Sequence, residues 1–195
     1  MILPSRNVGV FTGSPLGVAG EQNCNGYHTM QRKNHVDLLL INPANRKRIY
    51  QTLSNTMSAI EPPVWAGLMA TFIRQKGFSV AMIDCSADNL SPEETAQQVA
   101  TWRPVLTAIV VYGQQPSAST QVMPGASAVC TAIKALLPER PVIMVGGHVA
   151  ALPERTLNEE AADFVAGGEG LYTLLELLQA LKAKDNAYHK VPDLW

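Results

Sequence analysis

From Val36 onward the chain alternates between two hydrophobic patterns. Short, nearly unbroken apolar runs occur at 36–41, 78–83, 105–112, 141–145 and 163–166. Each is too short for a typical helix and lacks polar alternation, so each predicts a strand buried on both faces. Between them lie stretches with apolar residues three and four positions apart. Val64, Trp65, Leu68, Met69, Phe72 and Ile73 mark a helix over 62–76, with Gly77 where a C′ glycine belongs. Ser91-Pro92-Glu93-Glu94 opens the next helix, with Ser91 as cap, Pro92 at the first helical position and Glu94 closing a capping box. A longer helix is predicted over 120–137, with Val122, Ala126, Val129, Ile133 and Leu136 on one face and Pro124 in its first turn. A short helix follows from Pro153. The last, over 169–183, turns Leu171, Leu174, Leu175, Leu178 and Leu181 inward.

Five β–α units of this kind predict an α/β fold: a doubly wound, five-stranded parallel sheet, Rossmann-like or flavodoxin-like, in three α/β/α layers. Two segments fall outside the pattern. Residues 1–35 are broken by Gly9, Gly13, Gly17, Gly20 and Gly26 and read as an irregular N-terminal arm with one short strand at 8–12. Residues 185–195 end in Val191-Pro192-Asp193-Leu194-Trp195 and read as a C-terminal linker or docking segment. The domain proper is then 36–184.

Composition narrows the class. A chain of 195 residues, 47% apolar and 16% charged, suffices for one ordinary domain. A net charge of −1 gives no field toward nucleic acid or an anionic membrane. No apolar run approaches the roughly 20 residues of a membrane span, and the N-terminus has no secretory-signal pattern. Cys24, Cys85 and Cys130 are scattered, which suits neither a disulfide framework nor a zinc site. These features point to the cytoplasm, with neither nucleic acid nor membrane as a partner.

In an open parallel sheet the ligand sits outside the carboxyl ends of the strands. After the first apolar run comes Asn42-Pro43, then a connection of about 20 residues that carries Arg46, Lys47 and Arg48, against the usual 2–6. Tyr112 finishes the third run and Gly113-Gln114-Gln115-Pro116-Ser117-Ala118-Ser119-Thr120 follows it; after the fourth comes Gly146-Gly147-His148, and after the fifth Gly167-Gly168-Glu169-Gly170. Glycine lets a backbone approach a ligand closely. A rim of glycine, amide and hydroxyl suits a large, neutral or weakly charged ligand held by many hydrogen bonds. Neither G-x-x-x-x-G-K-[ST] nor a G-x-G-x-x-G after the first strand is present, which argues against a triphosphate or a dinucleotide. The binding candidates are Asn42, Pro43, Tyr112, Gly113, Gln114, Gln115, Ser117, Gly146, Gly147, His148, Gly167, Gly168 and Glu169; no residue is assigned a catalytic role. Each has an ordinary alternative. Gly146-Gly147 also suits a tight strand-to-loop turn, His148 a solvent-facing or capping position, and Glu169 the favourable first turn of a helix. The basic triplet also suits a solvated surface.

Asn42-Pro43, Glu61-Pro62-Pro63, Gly77, Ile83-Asp84, Leu90-Ser91-Pro92-Glu93-Glu94, Gly146-Gly147-His148, Leu152-Pro153-Glu154 and Gly168-Glu169-Gly170 occur in that order. This ordered set resembles the N-terminal cobalamin (B12)-binding domain of B12-dependent radical SAM enzymes, over roughly residues 36–183. The resemblance implies cobalamin as the cofactor. It implies a radical SAM domain as partner, in the same longer chain or separate, holding S-adenosylmethionine and a [4Fe–4S] cluster through C-x-x-x-C-x-x-C. That motif is missing here. The chain is thus expected to be non-catalytic alone and to serve a methyltransferase, or less often a rearrangement. Its C-terminal segment resembles the start of the connection into the other half, as in a fragment or a stand-alone carrier. Wider B12 domains carry D-x-H-x-x-G after the first strand, and its histidine ligates cobalt. Here that segment reads Asn42-Pro43-Ala44-Asn45-Arg46-Lys47, with no histidine. The resemblance then implies cobalamin bound base-off, its lower face open or approached by a rim residue, with His148 a candidate near cobalt. Gly146-Gly147 matches the wider family's late glycine pair, beside which the displaced nucleotide tail passes.

Two other classes stand beside this reading. A flavodoxin- or receiver-like domain would bind FMN or act in signalling, although Asn42 stands where a receiver has its phosphoacceptor aspartate. A ligand-free interaction module would keep the fold and lose the cofactor.

Overall fold

The computed structural model describes residues 35–44, 62–113, 118–184 and 188–195. The predicted strand at 8–12, the connection 45–61, Gln114, Gln115 and Ser117 lie outside the described residues. In chain order the elements are β1 (Leu38–Asn42), α1 (Val64–Gln75), β2 (Val80–Asp84), α2 (Pro92–Trp102), β3 (Leu106–Val110), α3 (Ser119–Leu136), β4 (Val142–Val145), α4 (Gly147–Ala151), α5 (Pro153–Glu159), β5 (Phe164–Val165), α6 (Leu171–Ala183) and a 3₁₀ turn at Tyr188–Lys190. The five strands form one parallel sheet in the order β2-β1-β3-β4-β5.

The apolar runs explain this order. Along β1, Leu38 and Leu40 pack with Ala66, Met69 and Ile73 of α1 and Leu174, Leu177 and Leu178 of α6. Leu39 and Ile41 point the other way, toward Ala96, Val99 and Trp102 of α2 and Ala126, Val129 and Ile133 of α3. Each central strand therefore needs apolar side chains on both faces, which is why the runs show no alternation. Crossovers between parallel strands are right-handed. The chain winds from β1 to β2 in one direction, then steps back over β1 to β3, so the helices from α2 to α5 cover the opposite face from α1, and α6 returns to the face of α1. The result is three layers, with a reversal of winding between β1 and β3.

Local signals operate as the chemistry predicts at α2. Glu94 N donates to Ser91 Oγ at 3.1 Å, and Ser91 N donates back to Glu94 Oε2 at 2.8 Å. Elsewhere tertiary contacts override the local pattern. α3 begins at Ser119, so Pro124 lies inside the helix and not in its first turn. Gly147, expected in a loop, opens the short helix α4. α6 starts at Leu171 because Gly170, at φ +82°, turns the chain against Val145.

Two ion pairs lie at the amino edge of the sheet. Asp37, just before β1, receives Lys182 Nζ at 2.6 Å and both the backbone N–H and the hydroxyl of Ser79 at 2.8 Å. Asp163, just before β5, receives Lys134 Nζ on both oxygens at 2.8 Å and the N–H of Val142 at 2.8 Å. These charges tie strands to helices on the side away from the carboxyl ends.

Candidate functional site

The reversal of winding opens a crevice at the carboxyl ends of β1 and β3, the position where doubly wound sheets receive ligands. Asn42 ends β1. Its side-chain N–H donates to Asp84 Oδ1 at 3.0 Å, and the same oxygen accepts from the N–H groups of Ser86 and Ala87 at 3.1 and 3.2 Å. The amide of Asn42 is therefore committed to closing the turn after β2. Pro43 is buried beside it.

Beyond β3, Tyr112 is half-buried, and its ring stacks on Trp65 with centroids 4.7 Å apart and planes 20° apart. Burial pushes the Tyr112 hydroxyl above its ordinary value, and the negative charge of Glu169 pushes it further. The first turn of α1, the end of β3 and the loop after β5 thus meet at one edge. Gly113 follows, and a Cβ there would lie 2.4 Å from Ala118 Cβ.

The other predicted rim residues divide by what requires them. Gly146 has its backbone against Val111: a Cβ would lie 2.0 Å from the Val111 carbonyl oxygen. Close approach of β4 to β3 therefore requires this glycine. Gly147 begins α4. His148 Nδ1 lies 3.0 Å from Thr120 Oγ1, which joins the starts of α4 and α3. Cys85 and Cys130 are buried, and burial raises their thiols to about 11 and about 12. Both thiols therefore stay protonated near neutral pH and are poor nucleophiles. Among the described residues no three His, Cys, Asp or Glu side chains gather as a metal site.

The loop after β5 has an unexpected neighbour. The C-terminal segment runs antiparallel along β5: Val165 N–H donates to the Trp195 carbonyl at 3.1 Å, Trp195 N–H to the Val165 carbonyl at 3.0 Å, and Gly167 N–H to the Asp193 carbonyl at 2.7 Å. Thr173 Oγ1 adds a bond to the Pro192 carbonyl at 3.1 Å, and Val191 is buried. A Cβ on Gly167 would meet Trp195 Nε1 at 2.8 Å, and one on Gly168 would meet Asp193 Oδ2 at 3.1 Å. These two glycines make room for the chain's own tail. The indole of Trp195 is the far end of a flexible side chain, so Gly167→Ala is expected to cost about 1 kcal/mol as that ring is displaced. In a Trp195→Ala background the cost should fall below half of that, read by urea denaturation in a double-mutant cycle. Equal costs in both backgrounds would show that the tail is not what requires Gly167.

The structure brings Asn42, Pro43, Tyr112, Gly113, Gly146, Gly147, His148 and Glu169 to the carboxyl edge, and it places Gly167 and Gly168 beneath the tail. Sequence reasoning missed Trp65, counted there as core, and Thr120, the partner of His148. An aromatic in the first turn of a helix that follows a long connection was the available signal for Trp65.

Comparison with known proteins follows this geometry. Residues 50–178 match the family model of the B12 binding domain. An uncharacterized methyltransferase of Pyrococcus horikoshii is 29% identical over 145 residues, 74% of this chain and 29% of that protein. The radical S-adenosylmethionine methyltransferase TsrM from Kitasatospora setae, solved with cobalamin and a [4Fe–4S] cluster, superposes with a TM-score of 0.63 at 18% identity, over 80% of this chain and 26% of that one. The cobalamin-dependent S-adenosylmethionine radical enzyme OxsB, with aqua-cobalamin and S-adenosylmethionine bound, gives 0.56 at 16% identity, over 82% of this chain and 20% of that one. The chain spans less than a third of the length of these relatives.

Proposed function

The chain belongs to the B12-binding domain family, and on that premise we propose that it is the cobalamin-holding module of a B12-dependent radical SAM methyltransferase. The family match over residues 50–178 carries this reading. The strand order supports it, because the reversal between β1 and β3 builds the crevice such a ligand occupies. The residues at this edge suit the group. The corrin ring supplies its own nitrogen donors to cobalt, so no protein metal cluster is required. Tyr112 and Trp65, stacked on one another, bring aromatic surface to this edge. Gly147, the Thr120–His148 pair and the backbone after β3 offer polar groups to a ring fringed with amides.

Cobalamin, when bound, supplies the methyl-carrying chemistry. The chain's own residues bind and orient it. We infer a base-off mode with no histidine on cobalt, because β1 ends in Asn42 and runs into Pro43-Ala44 where D-x-H-x-x-G domains place that ligand, and Asn42 is tied to Asp84. S-adenosylmethionine and the [4Fe–4S] cluster belong, in this reading, to a separate radical SAM domain. No helix among the described residues is long and apolar enough to cross a membrane, and the proposed site of action is the cytoplasm.

The test is a visible spectrum of the purified chain after addition of hydroxocobalamin and desalting. The expected result is a retained corrin band shifted toward the base-off form. A colourless protein sinks the proposal. A yellow protein as purified would favour a flavin, which folds of this strand order also bind.

A further inference from the structure

The outward face of α1 is apolar. Val64 and Leu68, one turn apart, are 59% and 54% exposed. One turn further on, the ring of Phe72 meets Tyr172 of α6 edge-on at 5.3 Å, and Tyr172 is itself 64% exposed. No charged side chain interrupts α1 from Val64 to Ile73. Gly67 shares this outward face, and a Cβ there would meet nothing within 4 Å. Glycine weakens a helix interior, and no contact among the described residues requires it. The result is a continuous apolar patch with a gap at Gly67, a surface that another segment covers.

Size and position select the occupant. The exposed parts of these side chains amount to roughly a few hundred Å², short of the roughly 800 Å² per partner that a stable dimer buries. A tethered segment needs less contact, because its effective concentration is on the order of millimolar. Residues 1–34 lie outside the described residues and join the domain at His35. Asp37 N–H donates to the Ser79 carbonyl at 3.1 Å, and its carboxylate receives Lys182 from the last turn of α6. Ser79 comes just after Gly77, which follows the end of α1, so the chain enters on the α1–α6 layer. From the end of α1 back to Val64 is about 18 Å along the helix, a span that about six extended residues cover. Residues 7–20 hold Val8, Val10, Phe11, Leu16 and Val18 and no charged side chain, so they match the uncharged face. The connection 45–61 also adjoins it, but carries Arg46-Lys47-Arg48, which favour water. We propose that residues 7–20 seat their apolar side chains on the outward face of α1, across Val64, Leu68 and Phe72, with their closest approach at Gly67. The exposed face is then satisfied within the chain, independently of the cobalamin-binding reading.

The experiment digests the full chain with a low ratio of trypsin and follows each cleavage by mass spectrometry, beside sedimentation velocity. Arg6 adjoins the docking stretch, so cleavage after it tracks the undocked population. Leu68→Glu should speed that cleavage by roughly tenfold, the scale of one lost leucine contact, with the helical circular dichroism unchanged. Phe11→Glu, which lies outside the described domain and cannot disturb its core, should speed the same cleavage. The double variant should add little to either one. Leu136→Glu, on the opposite layer and 50% exposed, should leave the rate as it is. Cleavage after Arg6 that neither Leu68→Glu nor Phe11→Glu accelerates overturns the proposal. Acceleration confined to Arg46–Arg48 also overturns it, and gives the face to the connection 45–61. A dimer that Leu68→Glu dissociates overturns it as well, and gives the face to a second copy.

Discussion

Gly146→Ala is expected to abolish the stable fold, or at the least to lower the melting temperature by about 10 °C, the equivalent of roughly 3–5 kcal/mol in a domain of this size. The added methyl carbon would lie 2.0 Å from the Val111 carbonyl oxygen and 2.4 Å from its carbon. Both are backbone atoms of the segment that continues β3, and they cannot rotate aside as a side chain would. Val111 N–H already donates to the Val145 carbonyl at 2.6 Å, so separating the segments breaks the ladder at its carboxyl end. The backbone of Gly146, at φ +156°, is also one that side chains rarely adopt. Gly77→Ala is the control. Its φ of +89° is unfavourable for alanine, but no atom lies within 4 Å of the new methyl. It should cost about 1 kcal/mol, from backbone strain alone. Thermal denaturation of the two variants checks the contrast, and a Gly146→Ala protein as stable as Gly77→Ala would show that the two segments can part cheaply.

This contrast also explains what could be read from the chain and what could not. The strands were legible because burial on both faces leaves no room for polar residues, and the same requirement makes the run 36–41 nearly continuous. The capping box at Ser91 and Glu94 was legible because its geometry is local. Gly146 was legible as a glycine at a strand end, but two different demands place glycine there: close approach of a ligand, and close approach of another strand. Sequence cannot separate them, and the contact with Val111 supplies the second. The same holds at Gly167 and Gly168, where the partner is the C-terminal segment, more than 20 residues away in the chain. That pairing leaves no periodic trace, since the buried Val191 and the half-buried Leu194 lie within an irregular stretch. Trp65 was hidden for the opposite reason. It fits the helical spacing of the core residues around it, and only its exposure and its stacking on Tyr112 set it apart. The family signal survives these ambiguities because it rests on the order of many weak motifs, most of which position the sheet's carboxyl edge.

The amino edge yields the second large effect. Asp37→Ala is expected to destabilise the domain by about 2–3 kcal/mol, and Asp37→Asn by somewhat less, at neutral pH. Asp37 is 8% exposed and accepts three hydrogen bonds from the Ser79 N–H, the Ser79 hydroxyl and Lys182 Nζ. Removing it strands the Ser79 donors in a half-buried site and frees Lys182, whose side chain is 45% exposed, to return to water. The loss at Ser79 should therefore outweigh the loss at Lys182. Burial alone would raise the Asp37 carboxyl, but the hydrogen bond from Lys182, the two from Ser79 and the charge of Lys182 together outweigh it and hold the group below its ordinary 3.8. The sign follows from that direction. The unfolded chain binds the proton more readily than the folded one, so this contribution is fully present above the unfolded value, near pH 4, and is lost as pH falls through the lower folded value. The stability difference between wild type and Asp37→Asn should then be constant from pH 5 to 7 and shrink on acidification below pH 4, measured as urea midpoints across that range. A difference that stays constant through the acid range would mean that Asp37 titrates alike in both states, and that the amino-edge network holds the sheet by shape and not by charge.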